Sequence, residues 1–200
     1  IDYLCTQNDV ILATKPTVQA PVLFAETDGL VDVLPIDRSQ RGTRGRHDGW
    51  RGFWQLVADF KSTGARRALI LHHSPRYAIA AFFARMTSRW GYGIGCQRFW
   101  LNRGQFLEKS ARKMHPIAKM RIYAARNAFP IDPVWRLNIL PAANKAADEF
   151  MSAHAINAAS DMLILGIGAM DEDRCWPLEK FAEFITSLAK KRPQLICCLM

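Results

Sequence analysis

Acidic residues are scarce in this chain: 18 Asp and Glu stand against 27 Lys and Arg, leaving a net charge of +9 over 200 residues. That balance points to an anionic partner, whether a nucleic acid, a phosphorylated substrate or an acidic membrane surface. Long apolar runs are also missing. None approaches the ~18 residues of a membrane span, although half of the chain is hydrophobic. Those residues suffice for a substantial core in one domain, or one and a fraction. The five cysteines, Cys5, Cys96, Cys175, Cys197 and Cys198, form no C-x-x-C pair and no metal spacing. The expectation is reduced thiols in the cytoplasm, mostly buried in strands, with no metal site. No G-x-x-x-x-G-K-[ST] loop and no G-x-S-x-G elbow occur, which removes P-loop nucleotide hydrolysis and the serine-hydrolase turn. There is no internal repeat, no low-complexity tract and no basic leader before an apolar segment. An opening at Ile1-Asp-Tyr and an end within Leu195-Ile-Cys-Cys-Leu-Met200 read as a piece of a longer protein.

What is present is an alternation of short apolar runs with amphipathic segments. Ile1–Thr6, Leu30–Ile36, Ala68–His72, Trp90–Ile94 and Asp161–Leu165 read as strands, the second suited to burial on both faces. Helices are expected over Val18–Phe24, Trp50–Lys61, from Ser74-Pro75 through Met86, from His115-Pro116 through Ala125, and over Ala142–Met151. In the second of these Phe53, Trp54, Val57 and Phe60 share a face, and Gly64 supplies the stop. Strands alternating with helices of about three turns mean βαβ units and a mostly parallel sheet. Phe129-Pro-Ile-Asp-Pro-Val-Trp135 reads as a linker between a domain over 1–128 and the start of another over 136–200.

One stretch organises the chain. Asp161–Leu165 leads into Gly166-Ile-Gly-Ala-Met-Asp-Glu-Asp-Arg174, then Trp176-Pro177, then Leu178, Phe181, Phe184, Ile185 and Leu188 at helical spacing. Pro177 suits the first helical position, where no N–H is needed, and Glu179 faces the positive end of the dipole. A strand, a glycine-containing loop and a helix start gather free backbone N–H groups able to hold an anion. Arg174, a cation at that positive end, makes sense around an anion, or else pairs on the surface with Asp171 or Asp173. Asp171, Glu172 and Asp173 could hold Mg²⁺ through a diphosphate, although a solvated acidic loop is the commoner case; no cofactor is indicated.

The pattern Gly-x-Gly-Ala, a short loop, Arg-x-Trp-Pro and x-Glu-x-Phe-Ala-Glu resembles the ADP-heptose:lipopolysaccharide heptosyltransferases. Upstream, Leu30–Asp37, Leu71-His-His-Ser-Pro-Arg-Tyr-Ala-Ile-Ala-Ala81, Arg89-Trp-Gly-Tyr92 and His115-Pro116 resemble the same family, so the likeness covers most of the chain. It implies a GT-B glycosyltransferase, with an acceptor-side Rossmann-like domain and the beginning of a donor domain. The implied donor is a nucleotide-diphosphate sugar, its phosphates met by Arg174, Gly168 and Ala169. The implied acceptor is the phosphorylated lipopolysaccharide core at the inner face of the cytoplasmic membrane, with Ser74, Arg76, His115, Arg41, Arg44 and Arg46 as its expected contacts. The family's opening strand and its base-bearing glycine–aspartate loop would precede Ile1, and its acidic and Asp-His donor segment would follow Met200. Another nucleotide sugar is the enzymatic alternative.

The remaining concentration of chemistry is the loop after Leu30–Ile36, with Arg38, Arg41, Arg44, Arg46 and Arg51. It follows a strand's carboxyl end, where α/β sheets place ligands, and arginine forks match phosphate oxygens. The bland reading is a mobile, solvated loop. A non-catalytic nucleic-acid module is the rival, but only Trp50 stands near the arginines, so no nucleic acid is expected. Asp37, a carboxylate at that strand end, could serve as a general base, the role the resemblance gives to the preceding loop. Ser74 reads as a helix cap, with one of His72 and His73 in the core and the other reaching the cleft. His115 reads on sequence alone as a plain helix-start residue.

Overall fold

The computed structural model describes residues 2–38, 44–130, 139–157, 159–168 and 175–199, and these fall into two units, Ile1–Ile139 and Leu140–Met200. The boundary lies beyond the 129–135 linker expected from the prolines, most of which is outside the described residues.

In the first unit the expected opening strand is instead a short helix, α1 (Asp2–Cys5). The polar residues after it take its free carbonyls: Thr6 Oγ1 donates to Tyr3 at 2.8 Å and Asn8 Nδ2 to Leu4 at 3.2 Å. Cys5 is buried beneath Gly29, whose φ of +80° and close approach to the Cys5 carbonyl leave no room for a Cβ. The strand lies later, at β1 (Val10–Thr14), a β-branched run the sequence reading passed over. The helix expected over Val18–Phe24 is present but shorter, as α2 (Ala20–Leu23), and a 3₁₀ turn, Pro16–Val18, precedes it. β2 (Leu30–Pro35) runs parallel to β1 with a register slip at Val10/Ile11, and it is not buried on both faces: Val31 is exposed, and so is Asp32.

The core forms where α3 (Gly49–Ser62) crosses β3 (Arg67–Ile70) and α4 (Pro75–Phe83). Phe53, Leu56, Val57 and Phe60 of α3 are buried with Ile70, Ala78, Ala80 and Ala81. The alanines of α4 let α3 approach closely, and each large side chain buried contributes roughly 1.5–3 kcal/mol. Trp54, expected on the inner face, is exposed, and Leu56 occupies the core instead. Gly64 ends α3 at φ +66° as expected. β4 (Ser88–Gly91) pairs parallel with β3 from Arg67↔Ser88 to Ile70↔Gly91. After the 3₁₀ turn Gly95–Trp100 comes a second cluster, Tyr92, Ile94, Leu107, Ala111 and Tyr123, the last on α5 (Pro116–Arg126).

In the second unit, α6 (Pro141–Ala153) precedes β5 (Met162–Leu165), α7 (Leu178–Lys191) and β6 (Ile196–Leu199). β5 and β6 are parallel, from Met162↔Ile196 to Leu165↔Leu199. Pro177 is the N-cap of α7 rather than its first residue, and its carbonyl accepts from Lys180 and Phe181. Trp176 packs on Phe181 and Phe184 and fixes the entry of the chain into the helix. Cys197 and Cys198 lie in β6, but Cys96 and Cys175 are exposed, contrary to the expectation of mostly buried thiols. No described helix is long and apolar enough to cross a membrane.

Candidate functional site

The carboxyl ends of β1, β2, β3 and β4 carry the polar groups of the first unit. β1 ends at Lys15, β2 at Asp37 and Arg38, β3 at His72 and His73, and β4 at Tyr92 and Gly93. The stacked rings of His72 and His73 lie 4.7 Å apart, and Tyr77 meets His72 edge-on at 5.1 Å. His72 keeps a solvent-exposed edge, yet partial burial first, and then the positive charge of His73, Arg38, Lys15 and Lys119, hold its imidazole below the usual value. Cations that follow β1 and β2, and one on α5, thus all act against the His72 proton. Such a rim of positive potential favours an anion.

The turn between β3 and α4 is held from beneath by Gln97, which is fully buried. Its Oε1 accepts from Gly93 N at 2.9 Å, and its Nε2 donates to the carbonyls of His72 at 2.6 Å and Ser74 at 3.2 Å. One side chain therefore ties the ends of β3 and β4 together. Ser74 caps α4 by accepting from Arg76 N, as its place before Pro75 implied. Lys119 is buried on α5, donating to the Arg112 carbonyl and lying 5.8 Å from the centre of the Tyr92 ring. Sequence reasoning missed it, although Lys119 stands one turn before the buried Tyr123. His115 is exposed and caps α5, its Nδ1 accepting from Ile117 N at 3.3 Å.

The arginine loop is built rather than loose over residues 44–51. His47, 1% exposed, accepts the Asp37 N–H through Nδ1 at 2.9 Å, which leaves Nε2 to donate to Asp59 at 2.8 Å. Burial works against the Asp59 carboxylate, but hydrogen bonds from His47 and Gln55 and the charge of Arg46 outweigh it and hold the carboxyl below its usual value. Arg46 reaches Asp59 at 2.7 Å, and its backbone N donates to Asp37 Oδ2. Arg38 pairs with Asp48 at 3.3 Å. The Arg44 guanidinium lies over Gly49, where a Cβ would meet it at 2.5 Å. Arg76 donates to the carbonyls of His47 and Gly49 at 2.7 and 2.8 Å and lies over Phe53, with its buried Nε unpartnered. Ser74 and Arg76 are thus joined to the arginine loop, with Arg76 clasping it to the start of α4. Arg41 lies outside the described residues.

In the second unit, Gly166 and Gly168 follow β5 with open space around both. The start of α7 comes next after the loop. Arg174, Ala169, Asp171, Glu172 and Asp173 lie outside the described residues. Among the described residues no three His, Cys, Asp or Glu side chains gather to hold a metal.

No protein-family model and no curated protein matches the sequence. Solved structures do. A glycosyl transferase of family 9 from Veillonella parvula DSM 2008 superposes with a TM-score of 0.64 at 14% identity, over 94% of this chain and 52% of that one. ADP-heptose lps heptosyltransferase II of E. coli superposes at 0.56 and 16% identity, over 98% of this chain and 57% of that one. The chain therefore spans about half the length of these structures, and its parallel α/β fold is that of GT-B glycosyltransferases.

Proposed function

We propose that the protein carrying this chain is a glycosyltransferase that moves a heptose from ADP-heptose to a hydroxyl of the lipopolysaccharide inner core. The observation that carries this reading is the set of groups at the carboxyl ends of the parallel strands, Lys15, Arg38 and the stacked His72 and His73, in a fold like that of the two solved transferases. The first unit takes the acceptor, whose phosphates suit that rim. Ser74, Arg76 and Arg46 shape the turn and the loop beside it, while Arg41, Arg44 and His115 meet the acceptor. The second unit takes the donor, its diphosphate against Gly168, Ala169, Arg174 and the start of α7.

In the reaction, a base removes the proton of the acceptor hydroxyl, and the oxygen attacks the anomeric carbon from the face opposite the diphosphate. The carbon–oxygen bond to the diphosphate breaks as the new glycosidic bond forms, and the electron pair leaves on ADP. Positive groups around the leaving diphosphate, Arg174 and the helix start among them, stabilise that charge. The acceptor is lipid-linked, so the enzyme works at the anionic inner face of the cytoplasmic membrane.

Calorimetric titration of the protein with ADP-heptose, beside a short DNA duplex, tests this reading. Saturable binding of the sugar nucleotide with only salt-sensitive, weak duplex binding is the expected result. Tight duplex binding without sugar-nucleotide binding would replace it with a nucleic-acid module.

A further inference from the structure

On the outer side of α3 and α4 an aromatic ridge stands in solvent. Trp50, 71% exposed, meets Trp54 at 5.6 Å; Trp54 meets Phe83 at 5.3 Å; Phe83 meets Phe82 at 5.5 Å; and Phe82 meets Trp100 at 5.3 Å. Trp54, Phe82 and Phe83 are exposed as well. Exposed aromatic surface of this continuity marks an interaction site rather than chance. Beside it a depression of about 410 Å³ is lined by Phe82 and Phe83 on one hand and Arg85, Thr87 and Arg89 on the other.

Two further features identify the occupant. Asp59 is the only acidic residue between Gly49 and Gly104, and its carboxylate is already taken by Arg46 and His47. Asp48, just before Gly49, is taken in turn by Arg38, so the unpaired charges that the described sequence sets along the ridge are Arg51 beside Trp50 and Arg85 at the end of α4, both exposed. Arg85 also has φ +62°, the left-handed conformation that glycine takes readily and arginine at a cost. It closes α4 there, with its N–H on Phe82 and the next N–H, of Met86, on Ala81. A strained cation at a glycine position is a pointer to function.

We propose that this ridge docks on an anionic phospholipid surface, Trp50, Trp54, Phe82 and Phe83 entering the headgroup region while Arg51 and Arg85 meet lipid phosphates. Indole and phenyl rings flanked by arginine suit that boundary, where one side is apolar and the other wet. The edge-on packing of the rings, with interplanar angles of 88°, 63° and 81°, sets the edge of one ring against the face of the next, so successive rings offer no parallel faces for a run of stacked bases. The inference deepens the membrane-face part of the proposed function, but it needs no sugar transfer to be tested.

The test is vesicle flotation of the purified protein, with phosphatidylcholine alone and with phosphatidylcholine containing phosphatidylglycerol, at two salt concentrations. The protein floats with the anionic vesicles, less at high salt, and stays behind with the neutral ones. The double change Trp50→Ser, Phe83→Ser abolishes flotation. Arg85→Gly relaxes the strained turn, so the melting temperature stays level or rises while vesicle affinity falls about fivefold, the effect of one charge near such a surface. Failure of the wild-type protein to float overturns the proposal, and so does flotation of both variants like wild type. Sedimentation of a dimer that the double change makes monomeric, without flotation, assigns the ridge to a second copy instead. Loss of single-stranded oligonucleotide binding in that variant, again without flotation, assigns it to nucleic acid. Sugar transfer, measured separately on a soluble acceptor, fails only if the proposed reaction is wrong.

Discussion

Nδ1 of His47 accepts the backbone N–H of Asp37 at 2.9 Å, and the Asp37 carbonyl accepts the N–H of His47 at 2.8 Å. This reciprocal pair closes the arginine loop into a ring whose base is pinned to α3 through Asp59. Changing His47 to Ala empties a fully buried ring position, leaves the Asp37 N–H without its acceptor and takes one of three partners from Asp59. The expected loss is about 2–4 kcal/mol. Arg46→Ala, which removes only an exposed ion pair, should cost less than about 1 kcal/mol. Equilibrium denaturation of both variants checks the order, and equal losses would show that the ring is not what holds the loop.

Gly52 lies where the loop crosses the first turn of α3. A Cβ there would meet the His47 carbonyl carbon at 2.4 Å and the Arg46 carbonyl oxygen at 2.7 Å. Helix propensity alone favours Gly52→Ala by up to about 1 kcal/mol. The contact with backbone outweighs it, and the substitution should destabilise by about 1–3 kcal/mol. A raised melting temperature would contradict the placement of the loop.

Gln97 holds two strand ends with one amide. Gln97→Glu keeps the acceptor for Gly93 N but sets a carboxylate oxygen against the carbonyls of His72 and Ser74. The introduced carboxyl must therefore be protonated to fit, so its folded pKa lies above the ordinary glutamate value of about 4.3. The variant should match wild type most closely below that value and lose stability as pH rises through the folded pKa. Melting temperatures across pH 4–8 (roughly the range that spans both states) read this directly; a penalty independent of pH would refute it.

His72 has the opposite sign. Burial and the charges of His73, Arg38, Lys15 and Lys119 lower its pKa from 6.5. The folded protein binds this proton less readily than the unfolded chain. The contribution to stability is complete above 6.5 and is lost as pH falls from there toward the folded value. Phosphate held in the rim supplies negative charge and should move the His72 pKa upward. Ring-proton NMR with and without phosphate tests both statements. A free-protein pKa at or above 6.5, or no response to phosphate, would leave the rim without its ligand.

Much of the frame was legible where local chemistry and tertiary packing agree. Ser74 before Pro75, His115 before Pro116 and the run into Leu165 mark helix starts and a strand without help from the fold. Disagreement began where tertiary contacts decide. Ile1–Thr6 has strand-type side chains, but Thr6 and Asn8 satisfy its carbonyls locally and make a helix of it. Trp54 has the right spacing for the core, yet the small side chains of α4 admit Leu56 instead. The site was less visible still. His47 sat unnoticed in a loop of arginines, and Gln97 in a glycine-rich turn, because a polar side chain that ties together segments distant in the chain leaves no periodic mark.

The central claim is transfer from a nucleotide-diphosphate sugar, and the most direct measurement is ADP release from ADP-heptose by the protein carrying this chain, with and without phosphorylated inner-core acceptor. The account predicts release that depends on the acceptor and falls about 10–100-fold in Arg174→Ala, the scale of one charged hydrogen bond, while Arg174→Lys retains much of it. A folded protein that releases no ADP with acceptor present, or releases it equally without acceptor, would contradict the account.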